Sequence, residues 1–461
     1  MFQSFFRGFW AVSAAVGFTL VLTSCGEKPP ERLQISSDFM LALTEQMPPH
    51  KPASPAVVNI GSDFDQAILQ AVETSEEYRA ALSTEREMLT GIGVAESVRR
   101  LQVTGNSTVG GMRERGGANP SKTSTGIAGG IQASQLLYDG GESVANINSA
   151  IAEATAAVID RIIIGNKIAL EAASAWIDVA QYEARLDLLN FRSVEMKKVV
   201  AQIERMSSNG MMDRAAVDSV LRKVVSISLE QTRLQSDLGQ AQVRFTRFFN
   251  QKPTELKMPV ELVSISDARA QAGAWQDAPV SQRSAVELIV AQNSLVAAKA
   301  AFKPKAKFQA GVTSPMQRGE STDLSLGVGL QYTFSDGGRR KSQLEAAEAR
   351  LESVKINLRD VQRSLEAEIK SSIQKLTSIE MSMPLVARQV ELSASAAKTA
   401  RSQLATGQAN LNEVVEANIE NYRAEDRQIT MRAEKLVLQL VIASRTGLLG
   451  QLIGLPTDIA E

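Results

Sequence analysis

A chain of 461 residues is long enough for two or three ordinary domains, or for one very elongated one. Its 50 Lys and Arg against 51 Asp and Glu leave a nucleic-acid partner no electrostatic footprint, and its single Cys excludes an internal disulfide or a cysteine-based zinc site. Aromatic residues make up only 5% of the chain, and a composition so poor in bulky rings suits closely packed long helices better than a globular enzyme core.

At the N-terminus, Arg7 precedes an apolar run from Phe9 to Leu22, the pattern of a secretory signal peptide over residues 1–24. Leu22-Thr23-Ser24-Cys25 resembles the lipobox of bacterial lipoproteins, which makes Cys25 the candidate lipidation site. A plain signal peptide followed by an accidental Cys is the other reading. By the same resemblance, Gly26 in place of Asp favours delivery to the outer membrane. Residues 25–60, with Pro29, Pro30, Pro48, Pro49, Pro52 and Pro55, read as an extended arm.

Helical sequence follows at 63–95, then two strand-like stretches at about 98–112 and 124–138 around a turn rich in Gly, Asn and Pro. After Asp139-Gly140-Gly141 a long helix is predicted over about 142–206, with a return helix over 213–249. A proline-punctuated connector, 250–279, leads to helical sequence at 280–302 and to strands at about 305–316 and 322–334. In the last of these, Leu324, Leu326, Val328, Leu330, Tyr332 and Phe334 alternate with small or polar residues, the two-residue period of a strand with two different faces. Past Asp336-Gly337-Gly338 the period changes. Leu344, Ala347, Leu351, Val354, Leu358, Val361 and Leu365 form a heptad seam on a helix predicted over about 339–406. Pro384 should kink or locally unwind that helix unless a partner accommodates it, and a return is expected over 411–450. The apolar stretch from Val437 to Leu455 contains Arg445 and ends at Pro456, so it reads as the buried end of an amphipathic helix and not as a membrane span.

The two Asp-Gly-Gly turns are 197 residues apart, and Gly210 and Gly407, each inside helical sequence, have the same offset. Two landmarks with one spacing mark an internal duplication, with a first repeat over 61–249 and a second over 280–461. From Gly141 to Gly210, and from Gly338 to Gly407, is 69 residues, roughly 100 Å of continuous helix, which no globular domain can hold.

Strands of this length can cross a bilayer when tilted. An open four-stranded sheet in lipid would leave both edges unpaired, so either several chains pool their strands into one closed barrel or the strands are not in a membrane. The lipobox, the duplicated unit of two strands, Asp-Gly-Gly and long helix, the turn sequence GQANLNEVVEA and the stretch YTFSDGGRRKSQLEAAEARLESVK together resemble the TolC-like outer membrane efflux protein family, in its lipoprotein branch. The resemblance implies a mainly α, α+β membrane protein. It would be a homotrimer whose 12-stranded β-barrel, four strands per chain, continues into a long periplasmic α-helical barrel. It also implies an exit channel of a tripartite efflux or type I secretion system, with a periplasmic adaptor and an inner-membrane transporter as partners, and no cofactor or catalytic residue.

The same resemblance carries the acidic pair at the periplasmic mouth onto Glu413 and Glu416, one helical turn apart. Six carboxylates around a narrow opening would favour cations and divalent block, whereas a solvated helix face is the bland alternative. Where better-known members of the family lock the closed mouth with Tyr and Arg, this chain has Leu404 and Ala409, with Ala215 and Ala216 opposite, so closure must rest on other contacts. Asp213, Arg214 and Asp218 are candidates for it and equally candidates for plain surface charge. Gly210 and Gly407 are implied adaptor-docking turns, or simply helix terminators. Tyr138, Tyr332 and Phe334 fall where an interfacial aromatic belt is expected, with core packing as the other reading. The lone histidine, His50, lies in the proline-rich arm, which leaves a histidine-based triad no cavity. The rival from another class is a non-conducting, lipid-anchored coiled-coil envelope scaffold.

Overall fold

The computed structural model describes residues 64–116, 119–208, 214–254, 256–259, 275, 278–314, 322–406 and 411–456. The expected signal peptide, lipidated arm and most of the connector lie outside them.

Element order runs twice through one scheme. The first pass is α1 (Phe64–Thr74), α2 (Glu76–Ser97), β1 (Gln102–Gly116), β2 (Asn119–Tyr138), α3 (Glu142–Ser208) and α4 (Arg214–Phe249). The second is α5 (Pro279–Ala300), β3 (Lys305–Ser314), β4 (Asp323–Gln331), α6 (Arg339–Ala405) and α7 (Leu411–Thr446), closed by the short α8 (Leu448–Leu452). The long helices α3 and α6 have 67 residues each, roughly 100 Å.

Several boundaries differ from the sequence reading. The helical stretch at 63–95 is two helices, parted where Ser75 adopts extended backbone at ψ 132°. The first hairpin is longer than expected and intrudes into its Gly-rich turn, because antiparallel pairing persists to Gly116↔Asn119 through an irregularity at Glu114/Gly116. Strand β4 stops at Gln331, short of Phe334. Helix α6 continues through Pro384, which lies on the exposed side of the helix, so the missing backbone donor does not end it. The return at 411–450 breaks at Gly447, which sits at φ 79° with the Pro279 ring so close that a Cβ would meet it at 2.6 Å.

Helix α3 is the centre of the helical part, in contact with α2, α4, α5 and α7. Its middle is alanine-rich, and Ala169, Ala172, Ala173 and Ala180 are buried, which lets backbones approach closely. At mid-length Trp176 joins Phe64, Phe245 and Phe249 in an aromatic cluster with centroids 4.3–5.9 Å apart, and its indole N–H donates to the Lys257 carbonyl at 3.0 Å. Within α6 the heptad seam is a half-buried stripe that reaches full burial at Leu365 and continues through the buried Ile369, Leu376, Val386 and Ala397.

Candidate functional site: a two-faced sheet and its helical extension

The four strands form one antiparallel sheet in the order β1-β2-β3-β4, so β1 and β4 each present an open edge within the chain. Register sorts the side chains by face. Val103 pairs with Ala133, Val109 with Ile127, Ile131 with Val312, Phe308 with Val328, Ala310 with Leu326 and Val312 with Leu324, and paired residues share a face. One face is therefore mostly apolar, with Gln135 opposite Phe308 and Ser107 opposite Gly129 as its polar positions. It is also bare: Leu324 is 80% and Leu326 75% exposed. The opposite face pairs Thr104 with Gln132, Ser134 with Gln309, Gly311 with Ser325 and Lys305 with Gln331, and is polar. Beyond β4 the alternation carries Tyr332 and Phe334 onto the apolar side, their rings edge-to-face at 4.9 Å and Phe334 90% exposed. Tyr138, also exposed, ends β2 after an irregularity at Leu136/Tyr138.

At the same end of the sheet, both Asp-Gly-Gly turns launch a long helix with one set of hydrogen bonds. Asp139 Oδ1 accepts from the Gly141 amide at 3.0 Å and Oδ2 from the Ser143 amide at 2.7 Å. Asp336 Oδ1 accepts from the Gly338 amide at 3.2 Å and Oδ2 from the Arg340 amide at 3.2 Å. Each carboxylate thereby satisfies amides that have no intrahelical acceptor in the first turn. The paired glycines reverse the chain between, at φ 74° and 98° for Gly140 and Gly141 and 69° and 92° for Gly337 and Gly338, a backbone that L-residues with a Cβ rarely adopt. Burial would raise the Asp139 carboxyl, but hydrogen bonds from Ser143 and Gly141 and the Lys305 charge hold it below its ordinary value. Desolvation would raise the Asp336 carboxyl too, but hydrogen bonds and charge from Arg340 and the Gly338 amide together hold it below its ordinary value.

At the other end of the helices, Glu413 and Glu416 both lie on the exposed side of α7, opposite the buried Val414 and Val415. Glu416 is paired with Lys223 of α4, which holds its carboxyl below the ordinary value. Leu404 packs into an apolar cluster of Met196, Val220, Leu411, Val415 and Ile419, so the position of a polar lock is occupied by a hydrophobic contact. Asp218 and Ala215 are exposed, and Arg214 opens α4 and Ala216 lies within it. Cys25, Gly210, Gly407, Ala409 and Asp213 lie outside the described residues.

A ladder of charges that sequence reasoning missed ties the two halves together just behind this cluster. Arg185 donates twice to Asp426, at 2.6 and 3.0 Å, and Arg192 twice to Glu425, at 3.1 and 2.5 Å. Arg401 bridges Glu195 of α3, at 3.2 Å, and Asn418 of α7. The signal was available in part, because Arg185 and Arg192 are seven residues apart and share a helix face, but nothing local named their acidic partners. Higher on α3, Arg161 donates to Glu85 at 2.5 Å, to the Tyr78 hydroxyl at 3.2 Å and to the Pro456 carbonyl at 2.8 Å, with both charged side chains 1% exposed. Among the described residues no cluster of His, Cys, Asp or Glu could hold a metal ion, and no helix is long and apolar enough to cross a membrane.

Three solved structures illustrate what this architecture is similar to. The Vibrio cholerae outer membrane protein VceC shares 14% identity at a TM-score of 0.73, with 85% of this chain and 96% of that one covered. The Campylobacter jejuni CmeC outer membrane channel shares 11% identity at a TM-score of 0.72, covering 83% and 85%. The Neisseria gonorrhoeae MtrE outer membrane channel, in its open state, shares 14% at a TM-score of 0.67, covering 86% and 90%. No curated protein matches by sequence. The outer membrane efflux protein family matches residues 274–445. With that match in its second half and the fold of TolC-like outer-membrane channels over most of its length, the chain carries the resemblance to the outer membrane efflux protein family that its motifs announce.

Proposed function

We propose that this chain is an outer-membrane exit channel, conducting substrate passively from an inner-membrane pump and periplasmic adaptor to the exterior in an efflux or type I secretion system. The observation that carries the reading is the two-faced sheet: a mostly apolar and largely exposed face, a polar face behind it, and two open edges. In lipid each unpaired backbone group costs several kcal/mol, so such a sheet demands closure by further copies. Three chains of four strands make a twelve-stranded barrel, apolar side to lipid and polar side to the lumen, and α3 and α6 with their returns continue it as a tunnel. Secretion through the leader and lipidation at Cys25 would hold the chain at the outer membrane, and the tips bearing Gly210 and Gly407 would meet the adaptor. A lipid-anchored spacer has no use for a sheet of this design.

Glu413 and Glu416 would form the acidic mouth, with Lys223 neutralising part of the Glu416 charge. The ladder Arg185–Asp426, Arg192–Glu425 and Arg401–Glu195, with the apolar cluster around Leu404, supplies closing contacts where the family's polar lock is missing. Planar-bilayer recording of the purified full-length protein tests both levels. Channels are expected, and replacing Glu413 and Glu416 by Gln should reduce cation preference and divalent block. A well-folded oligomer that never conducts sinks the channel reading; channels whose selectivity ignores both substitutions sink only the acidic mouth.

A further inference from the structure

We infer that Lys307 forms a cationic ring in the lining of the barrel at its helix-proximal end and makes that part of the path select for anions. The inference rests on the channel reading above and adds a ligand class to it, anions such as carboxylates, phosphates and sulfonates.

The register carries the first step. Lys307 pairs with Leu136 on one side and Gly329 on the other, two residues along β3 from both Lys305 and Gln309, so all three share the polar face. Gly329 has no side chain to occupy the space beside it. Between Lys307 and Asp323 the described side chains of that face are uncharged: Thr104, Gln132, Ser134, Gln309 and Ser325 are typical. Lys305, one rung nearer the helices, has a counter-charge, with its ammonium 2.6 Å from Glu142 at the start of α3. Lys307 is exposed and has no acidic partner among the described residues. The next charge on the polar face is Asp323, which pairs with Thr313, six residues further along β3 and so roughly 20 Å away.

An ammonium on a stretch of polar wall with no other charge for roughly 20 Å towards Asp323, repeated once per copy around a closed ring, sets a positive potential across that cross-section. The low-dielectric barrel wall concentrates the field in the lumen. The consequence is a filter opposite in sign to the acidic mouth and separated from it by the length of the helices. Cargo bearing negative charge would be drawn across the junction between tunnel and barrel, and small cations would be disfavoured there.

The test is the reversal potential of the full-length channel in a planar bilayer under a potassium chloride gradient, with chloride and potassium as the only probes. Lys307→Gln should move it toward the cation side, Lys307→Glu should move it further, and Lys307→Arg should leave it in place. The displacement should grow as salt is diluted, because the Debye length rises from about 3 Å at 1 M to about 30 Å at 0.01 M. Variants are compared only where the unboiled oligomer persists on gels, and Lys307→Gln, close to isosteric, guards against a folding failure of Lys307→Glu. Open channels whose reversal potential ignores all three substitutions at low salt overturn the inference while leaving the channel reading intact. A folded wild-type oligomer with no conductance overturns both.

Discussion

Helices α3 and α6 have the same length, begin with the same turn and end 197 residues apart, yet they live in different surroundings. Between Ala152 and Ala180, α3 is buried on nearly every side by α2, α4, α5 and α7. It keeps Arg161 inside, saturated by three partners. Helix α6 buries one stripe and leaves the rest of its circumference bare, with ion pairs such as Arg388–Glu391 in solvent. A repeated unit thus supplies one helix as a core and the other as a surface. The difference is already written in composition: alanine all round in the first, one heptad seam among charged residues in the second.

The largest effect that would sharpen this contrast comes from the buried pair. Arg161→Ala leaves Glu85 charged and enclosed, and removal of one member of a buried pair costs about 3–5 kcal/mol. The protein should unfold at a markedly lower temperature, read by thermal melting of the purified chain. Arg388→Ala on α6, where both side chains are about two-thirds exposed, should change stability by no more than about 1 kcal/mol. Equal losses at the two sites would erase the distinction between core and surface helix.

The turns predict a smaller difference. Gly140→Ala and Gly337→Ala share the strain of a left-handed backbone, about 1–2 kcal/mol. Only at Gly140 would the new methyl also meet Lys303, whose Cδ and Cβ stand 2.6 and 2.7 Å from it, whereas Gly337 has open space. The first variant should therefore melt at a lower temperature than the second. If Gly337→Ala is the worse of the two, some contact with a neighbouring copy must crowd the second turn.

The smallest effect is in acid. Asp139 and Asp336 both titrate below their unfolded value of 3.8. Their contributions are fully present above that value and lost as pH falls through the lowered pKa of the folded state. Asp139→Asn should flatten the acid limb of the stability profile below about pH 4. Asp336→Asn should flatten it less, because the Asp336 carboxylate is more open to solvent and water screens its gain. A profile identical to wild type in Asp139→Asn would mean that the carboxylate charge adds nothing beyond its hydrogen bonds.

The long helices were legible from the 69-residue intervals between glycines and from the heptad seam, since a sustained period of 3.5 has one interpretation in water. The faces of β4 were legible from alternation for the same reason, and the Asp-Gly-Gly junctions from their recurrence. Strand ends were not, because pairing in the hairpin outlasts the local turn composition around Gly116 and Asn119. Nor was the break at Gly447, which depends on Pro279 from far along the chain.

Local period and repeat spacing determined the elements of this protein, because each is a short-range consequence of how apolar residues are distributed along the chain. The pairing of Arg185 with Asp426, the enclosure of Arg161, the hydrophobic seat of Leu404 and the isolation of Lys307 were decided only by tertiary structure. Each depends on which side chain arrives opposite, and with charged and apolar residues spread along every helix the sequence offers many partners, among which packing selects one.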